Sequence, residues 1–191
     1  IAGGQGAPLV PIGDFHLFNG KAEAFVNLGG FCNISFKNPK NEIKAFDICP
    51  CNLPLNKFAE LLNAAYDKDG SFAKAGELNK LLLQKLNELE YYTKSPPKSL
   101  GTEWLENNFY PLISGDLDPN TILRTLSMHI ATQIFDTLNH HKIDSVFFTG
   151  GGAKNKFLMN ELQKKYSGKI IVPDYEIIDF KEALIFAFLG Y

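Results

Sequence analysis

Residues 24–49 read AFVNLGGFCNISFKNPKNEIKAFDIC, and their punctuation decides the fold class. AFVNLGG, CNISFKN and EIKAFDIC are short, β-rich runs, separated by Gly29-Gly30 and by Asn38-Pro39-Lys40-Asn41. Glycine pairs and Asn/Pro clusters between such runs are turn chemistry, so the stretch is expected to fold as an antiparallel meander. A meander needs apolar cover. That cover is expected after Pro54, where Leu55, Phe58, Leu61, Leu62 and Ala65 recur at helical spacing.

Working outward, YDKDGSFAKAG interrupts the helical pattern, and Leu78, Leu81, Leu82, Leu86 and Leu89 resume it as a second amphipathic helix. TKSPPKSLG reads as a loop. A long core helix follows, with Asp118 as N-cap, Pro119 at its first position, and Ile122, Leu123, Leu126, Ile130, Ile134 and Leu138 in one stripe. DSVFFTGGGAKN is an apolar strand running into three glycines, with a helix expected over residues 154–166. KIIVP adds a strand and residues 181–189 a last helix. A meander followed by alternating helices and strands gives an α/β fold with a mixed sheet and helices on both faces.

The bulk properties narrow the function classes. A chain of 191 residues with 45% hydrophobic and 21% charged residues matches a globular domain, and no apolar run approaches the ~20 residues of a membrane span. A net charge of -2, with lysines scattered among acids, argues against a nucleic-acid partner. Cys32, Cys49 and Cys51 are an odd set confined to the first third, which points away from a disulfide framework and toward a reducing cytoplasm. IAGGQGAPLVP lacks the basic segment and apolar core of a secretory signal and starts without methionine, so the chain is read as part of something longer.

Two strand-to-glycine junctions, VNLGGFCN and FFTGGGAKN, can bring backbone N–H groups against a phosphate. A lone Gly-Gly is most often only a tight turn. Three consecutive glycines are harder to attribute to packing, because each costs up to ~1 kcal/mol relative to alanine. No lysine-serine or lysine-threonine follows at the spacing of a Walker motif. Asp47 ends an apolar strand. Spacing alone favours a carboxylate capping the next turn; the alternative is a general base positioned by the sheet.

Other clusters give little. Cys49-Pro50-Cys51 has one intervening residue, too few for a structural zinc site, and no metal centre is expected. The acidic loop from Asp67 to Gly70 fails as a calcium site, since its twelfth position is Leu78. His140-His141 reads as a helix end, His16 and His129 have no partner visible in sequence, and Ser127 and Ser145 lack a nucleophile context.

AGGQGAPLVP, VNLGGFCNIS, FDICPCN, YDKDGSFAKAG, PPKSLGTE, GGGAKN and EALIFAFL occur in the order found in the 1,6-anhydro-N-acetylmuramic acid kinases of bacterial cell-wall recycling. The chain resembles the C-terminal lobe of that family, without its N-terminal lobe. The resemblance implies an actin-like sugar kinase built from ribonuclease-H-like lobes. Residues 1–191 would be one such lobe, with a helical insertion at about 54–115. It implies ATP and Mg2+ as cofactors, an anhydro amino sugar as substrate, and the missing lobe and a second copy of the chain as partners. By position, Asp47 matches the catalytic aspartate, and Gly29 and Gly30 the phosphate hairpin. Gly150, Gly151, Gly152 and Asn155 match the nucleoside-side turn, and Glu182, Gln5 and Asn52 fall on the sugar side.

The sequence departs from the family where Asp-x-Gly-Pro-Gly-Asn is usual: Cys49 and Cys51 replace both glycines. If those glycines need positive φ, each cysteine costs ~1–2 kcal/mol of strain. Leu100 also stands where threonine is usual. The expected activity is therefore a kinase that opens and phosphorylates 1,6-anhydro-N-acetylmuramic acid. The alternatives are a nucleotide-binding or scaffold protein of the same fold without catalysis, or an ATPase or amino-sugar kinase of another substrate.

Overall fold

A computed structural model describes residues 10–18, 20–113 and 115–190. The expected meander is its first feature: β1 (Ala24–Leu28), β2 (Phe31–Lys37) and β3 (Ile43–Pro50) pair antiparallel in sequence order. β4 (Ser145–Thr149) then adds parallel to β1 on its free side, and β5 (Lys169–Ile171) parallel to β4. The sheet is mixed, with order β3-β2-β1-β4-β5.

Central strands explain the apolar sequences. β1 and β4 are covered on both faces, so AFVNL and SVFFT are apolar nearly throughout rather than alternating. Ala24, Val26, Leu28, Val146 and Phe148 enter the main core. Phe25 and Phe147 point the other way and meet Phe18 in a smaller cluster, with the Phe18 and Phe147 ring centroids 5.4 Å apart. Helices therefore cover both faces. α1 (Val10–Leu17) and α8 (Tyr175–Gly190) pack together on the Phe25 side.

The main-core side is organised by α6 (Pro119–His140), against which α2 (Asn52–Glu60), α3 (Ser71–Ala75), α4 (Lys80–Asn87) and α7 (Lys156–Lys165) pack; α5 (Thr102–Trp104) lies between α4 and α6 in sequence. The six stripe residues of α6 named from sequence are all buried, each worth about 1.5–3 kcal/mol of transfer free energy before entropy is charged. Its N-terminus forms as expected: the Asp118 carboxylate accepts from the Thr121 N–H at 3.0 Å.

Element ends are where sequence and structure differ. α2 begins at Asn52, with Pro54 in the first turn, where its missing N–H breaks no intrahelical bond. It stops at Glu60 because Asn63 turns left-handed at φ 57°, while the N–H groups of Asn63 and Ala64 bond the carbonyls of Glu60 and Ala59. Leu61, expected inside the helix, is 62% exposed. α7 starts at Lys156 rather than 154, because residues 151–154 form a single 3-10 turn. α8 begins at Tyr175, six residues before the expected start. Among the described residues no helix is long and apolar enough to cross a membrane.

Candidate functional site

The ends of β1, β3 and β4 converge, and hydrogen bonds tie the glycine corners together. At the β1–β2 corner the Gly29 carbonyl accepts from the Asn52 N–H (3.0 Å), and the Gly30 carbonyl accepts from Cys51 (3.0 Å) and Leu53 (3.2 Å). The start of α2 is thereby fixed to the hairpin. The Asn52 side-chain amide donates to the Leu28 carbonyl at 2.8 Å. A Cβ on Gly152 would stand 2.9 Å from Asn52 Oδ1 and 2.8 Å from Leu28 Cβ, so only glycine lets the second corner approach the first this closely. Gly150 adopts φ 80°, a conformation that favours glycine, and a Cβ there would lie 2.8 Å from the Leu28 backbone.

Beside these corners opens a cleft of about 410 Å3, bounded by Asn52 and Asn56 of α2, by Tyr66 to Asp69, by Gly151, Gly152, Lys154 and Asn155, and by Tyr175. Lys154 lies over the Tyr175 ring at 5.2 Å and pairs with Asp179. Asn155 caps α7, accepting from Leu158 N–H at 3.0 Å. The acidic turn is structural: the Asp67 carboxylate accepts from the N–H groups of Phe72 (2.8 Å) and Ala73 (3.0 Å) and from the Ser71 hydroxyl (3.3 Å).

Asp47 does not line that cleft. It lies in β3 directly across from Asn33, which pairs with Asn27, which pairs with Thr149. Residues directly opposite in a ladder share a face, so Asp47, Asn33, Asn27 and Thr149 form a polar row across four strands, on the face opposite the main core. With strands ~4.8 Å apart, Asp47 is roughly 10 Å from Asn27. Asn27 sits between the glycine corners: a Cβ on Gly29 would meet its Nδ2 at 3.1 Å, and one on Gly150 its Oδ1 at 2.6 Å. Thr149 Oγ1 is buried without a hydrogen-bond partner among the described residues.

The carboxylate is half-buried and held from outside the sheet. Leu100 N–H donates to Asp47 Oδ2 at 2.9 Å, Asp47 N–H donates to the Lys98 carbonyl at 3.2 Å, and the Tyr91 hydroxyl donates to the Asp47 carbonyl at 2.6 Å. Burial raises the Asp47 carboxyl above the ordinary carboxylate value, and the Leu100 N–H opposes that rise. Burial, and then the neighbouring Asp47, push the Tyr91 phenol far above its usual value, so it stays a donor. Asp47 is thus no cap of the next helix, the reading that spacing favoured. Instead the 96–101 loop grips it against the edge of β3.

The remaining sequence-derived residues fall in several places. Gly29, Gly30, Gly150, Gly151, Gly152, Asn52 and Asn155 are gathered at the paired corners and the cleft. Glu182 falls in α8, but its side chain, like all of Gln5, lies outside the described residues. The anticipated strain at Cys49 and Cys51 is absent. Neither residue has positive φ, Cys51 lying at -133°, and both thiols are fully buried, Cys49 directly across from Cys32. His129, without a visible partner in sequence, is bonded by the Tyr92 hydroxyl (2.8 Å) and Asn87 Oδ1 (2.6 Å), and burial pushes it down to about 3.

The reading from sequence missed Asn27, Asn33, Thr149 and the Leu100 N–H. A signal existed for two of them: a polar residue in an otherwise apolar central strand needs a reason.

Comparison with known proteins agrees with this geometry. The chain is 37% identical over 206 residues to the anhydro-N-acetylmuramic acid kinase of Francisella tularensis subsp. novicida, covering 99% of this chain and 54% of the relative. It is 33% identical over 209 residues to that of Pseudomonas syringae pv. syringae, covering 100% and 55%. The chain therefore spans about half the length of the relatives it matches.

Among solved structures, the activator of the 2-hydroxyisocaproyl-CoA dehydratase from Clostridium difficile, with bound ADPNP, superposes with a TM-score of 0.58 at 15% identity, covering 95% of this chain and 65% of that one. The Acidaminococcus fermentans (R)-2-hydroxyglutaryl-CoA dehydratase component A gives 0.57 at 15%, covering 92% and 63%. The fold is thus of the actin-like ATPase and sugar-kinase type. The family model for anhydro-N-acetylmuramic acid kinases matches residues 1–191, and the chain belongs to that family.

Proposed function

We propose that this chain is the C-terminal lobe of an ATP-dependent kinase that opens 1,6-anhydro-N-acetylmuramic acid and phosphorylates it to N-acetylmuramic acid 6-phosphate. The observation that carries this reading is the Asp47 carboxylate, half-buried at the edge of β3 and in one polar row with the residue between the glycine corners. A carboxylate held above its ordinary value is a better proton acceptor while remaining ionised near neutrality.

In this reading Asp47 takes a proton from a water whose oxygen bonds to the anomeric carbon. The bond from that carbon to the bridging oxygen breaks, and the freed sugar oxygen takes the γ-phosphoryl group as ADP leaves. The Gly29-Gly30 hairpin and the Gly150–Gly152 turn supply backbone N–H groups to the phosphates, and the 410 Å3 cleft takes the nucleoside. Among the described residues no three His, Cys, Asp or Glu side chains converge to hold a metal, so Mg2+ fits as the nucleotide's counter-ion, held by its phosphates. Glu182, Gln5 and Asn52 are assigned to the sugar side by resemblance.

In the full-length protein Asp47→Asn is expected to leave ADP affinity within a few-fold and lower kcat by roughly three orders of magnitude or more. Unchanged turnover removes Asp47 from the reaction. The scaffold reading drew on Cys49 and Cys51, and its steric basis is weakened because neither cysteine occupies a glycine-only conformation. Sugar-dependent ADP release by the full-length protein separates the readings, since sugar-independent hydrolysis would instead favour an ATPase.

A further inference from the structure

A second cavity, of about 330 Å3, lies against β3 on the side away from Asp47. Its floor is Phe46 and Ile48, which enter the main core, whereas Asp47 between them belongs to the opposite face. Lys98, His140 and His141 converge on it, with one carboxylate, Asp136.

The cations there are packed against rings rather than against acids. Lys98 Nζ lies 4.7 Å from the Tyr91 ring centroid and 5.8 Å from that of Phe46, and it donates only to the Tyr91 carbonyl at 3.3 Å. Among the described residues no carboxylate is within ion-pair distance of it. The His141 ring lies 4.5 Å from that of Phe36 and 4.8 Å from that of His140. The closing carbonyls of α6 are already occupied, Thr137 by His141 N–H and Leu138 by Ile143 N–H, so the imidazoles are not needed there. Burial, and then the neighbouring His140 and Lys98, hold His141 below its usual value, as expected for like charges lacking a counter-charge.

We propose that this cavity binds a small hydroxylated anion of the sugar-phosphate class, with Lys98, His140 and His141 holding the anionic group. Its volume suits a monosaccharide-sized ligand, and the Thr93 and Ser95 hydroxyls on its rim suit sugar hydroxyls. The site bears on Asp47, because the Lys98 carbonyl and the Leu100 N–H are the groups that grip that residue. A ligand drawing Lys98 inward would shift that grip. Only this consequence rests on the kinase reading; the binding itself does not.

The test titrates full-length protein, saturated with ADP to occupy the phosphate corners, with inorganic phosphate. The imidazole NMR resonances of His140 and His141 are followed, assigned through His140→Gln and His141→Gln. Both resonances are expected to move saturably. Lys98→Met, which keeps the apolar stem, should weaken binding about tenfold. Asp136→Asn, which removes the opposing charge, should tighten it about threefold, a direction that misfolding cannot imitate. No saturable movement of either resonance, or equal affinity in wild type, Lys98→Met and Asp136→Asn, overturns the proposal. These outcomes do not depend on turnover, so a failed kinase assay is distinguishable from a failed binding site.

Discussion

Leu100 shows how much a single backbone group can govern. Its N–H is the hydrogen bond that offsets the burial of the Asp47 carboxyl, and a proline there would delete the donor. The sign of the effect is fixed. A general base works only when deprotonated, so kcat/KM falls as pH drops through its pKa, and losing a stabiliser of the carboxylate raises that pKa. Leu100→Pro in the full-length enzyme should therefore shift the acid limb of the pH profile to higher pH, as well as lower kcat. A limb that stays put, or moves down, would show that Leu100 does not tune Asp47. Sequence disclosed Asp47 itself because it ended an apolar strand. It could not disclose Leu100, since a bond between residues 53 positions apart leaves no local pattern.

At the scale of elements, α1 and α8 are joined by the buried pair of Asp14 and Lys181, whose charged atoms lie 2.9 Å apart with side chains 4% and 3% exposed. Burial raises the Asp14 carboxyl despite the lysine, which marks a costly desolvation only partly offset by the pairing. Lys181→Met should destabilise the full-length protein by about 3–5 kcal/mol in chemical denaturation, and adding Asp14→Leu should recover much of that loss. A single variant as stable as wild type would show that the pair contributes nothing. This contact escaped the sequence reading because α8 was expected only from residue 181 and α1 not at all. The periodic, well-capped α6 was legible residue by residue, since Asp118, Pro119 and the aliphatic stripe all act locally.

For the whole molecule, the central fact is that this chain spans about half of its relatives. Both glycine corners seen here present a single wall, and a transferring phosphoryl group needs donors on more than one side. The isolated chain is accordingly expected to show sugar-dependent turnover at least about a thousandfold below that of the full-length protein in an ADP-release assay. Comparable rates would mean that these residues suffice for the chemistry. By itself the sequence determined the strand and helix order, the mixed sheet, the core stripe of α6 and the identity of the glycine corners, because propensity, periodicity and turn chemistry act between near neighbours. Only the tertiary structure decided the polar row from Asp47 to Thr149, the loop that grips Asp47, and the relaxed burial of Cys49 and Cys51. Those depend on strand register and long-range packing, which are set by the burial of the whole core rather than by any one segment.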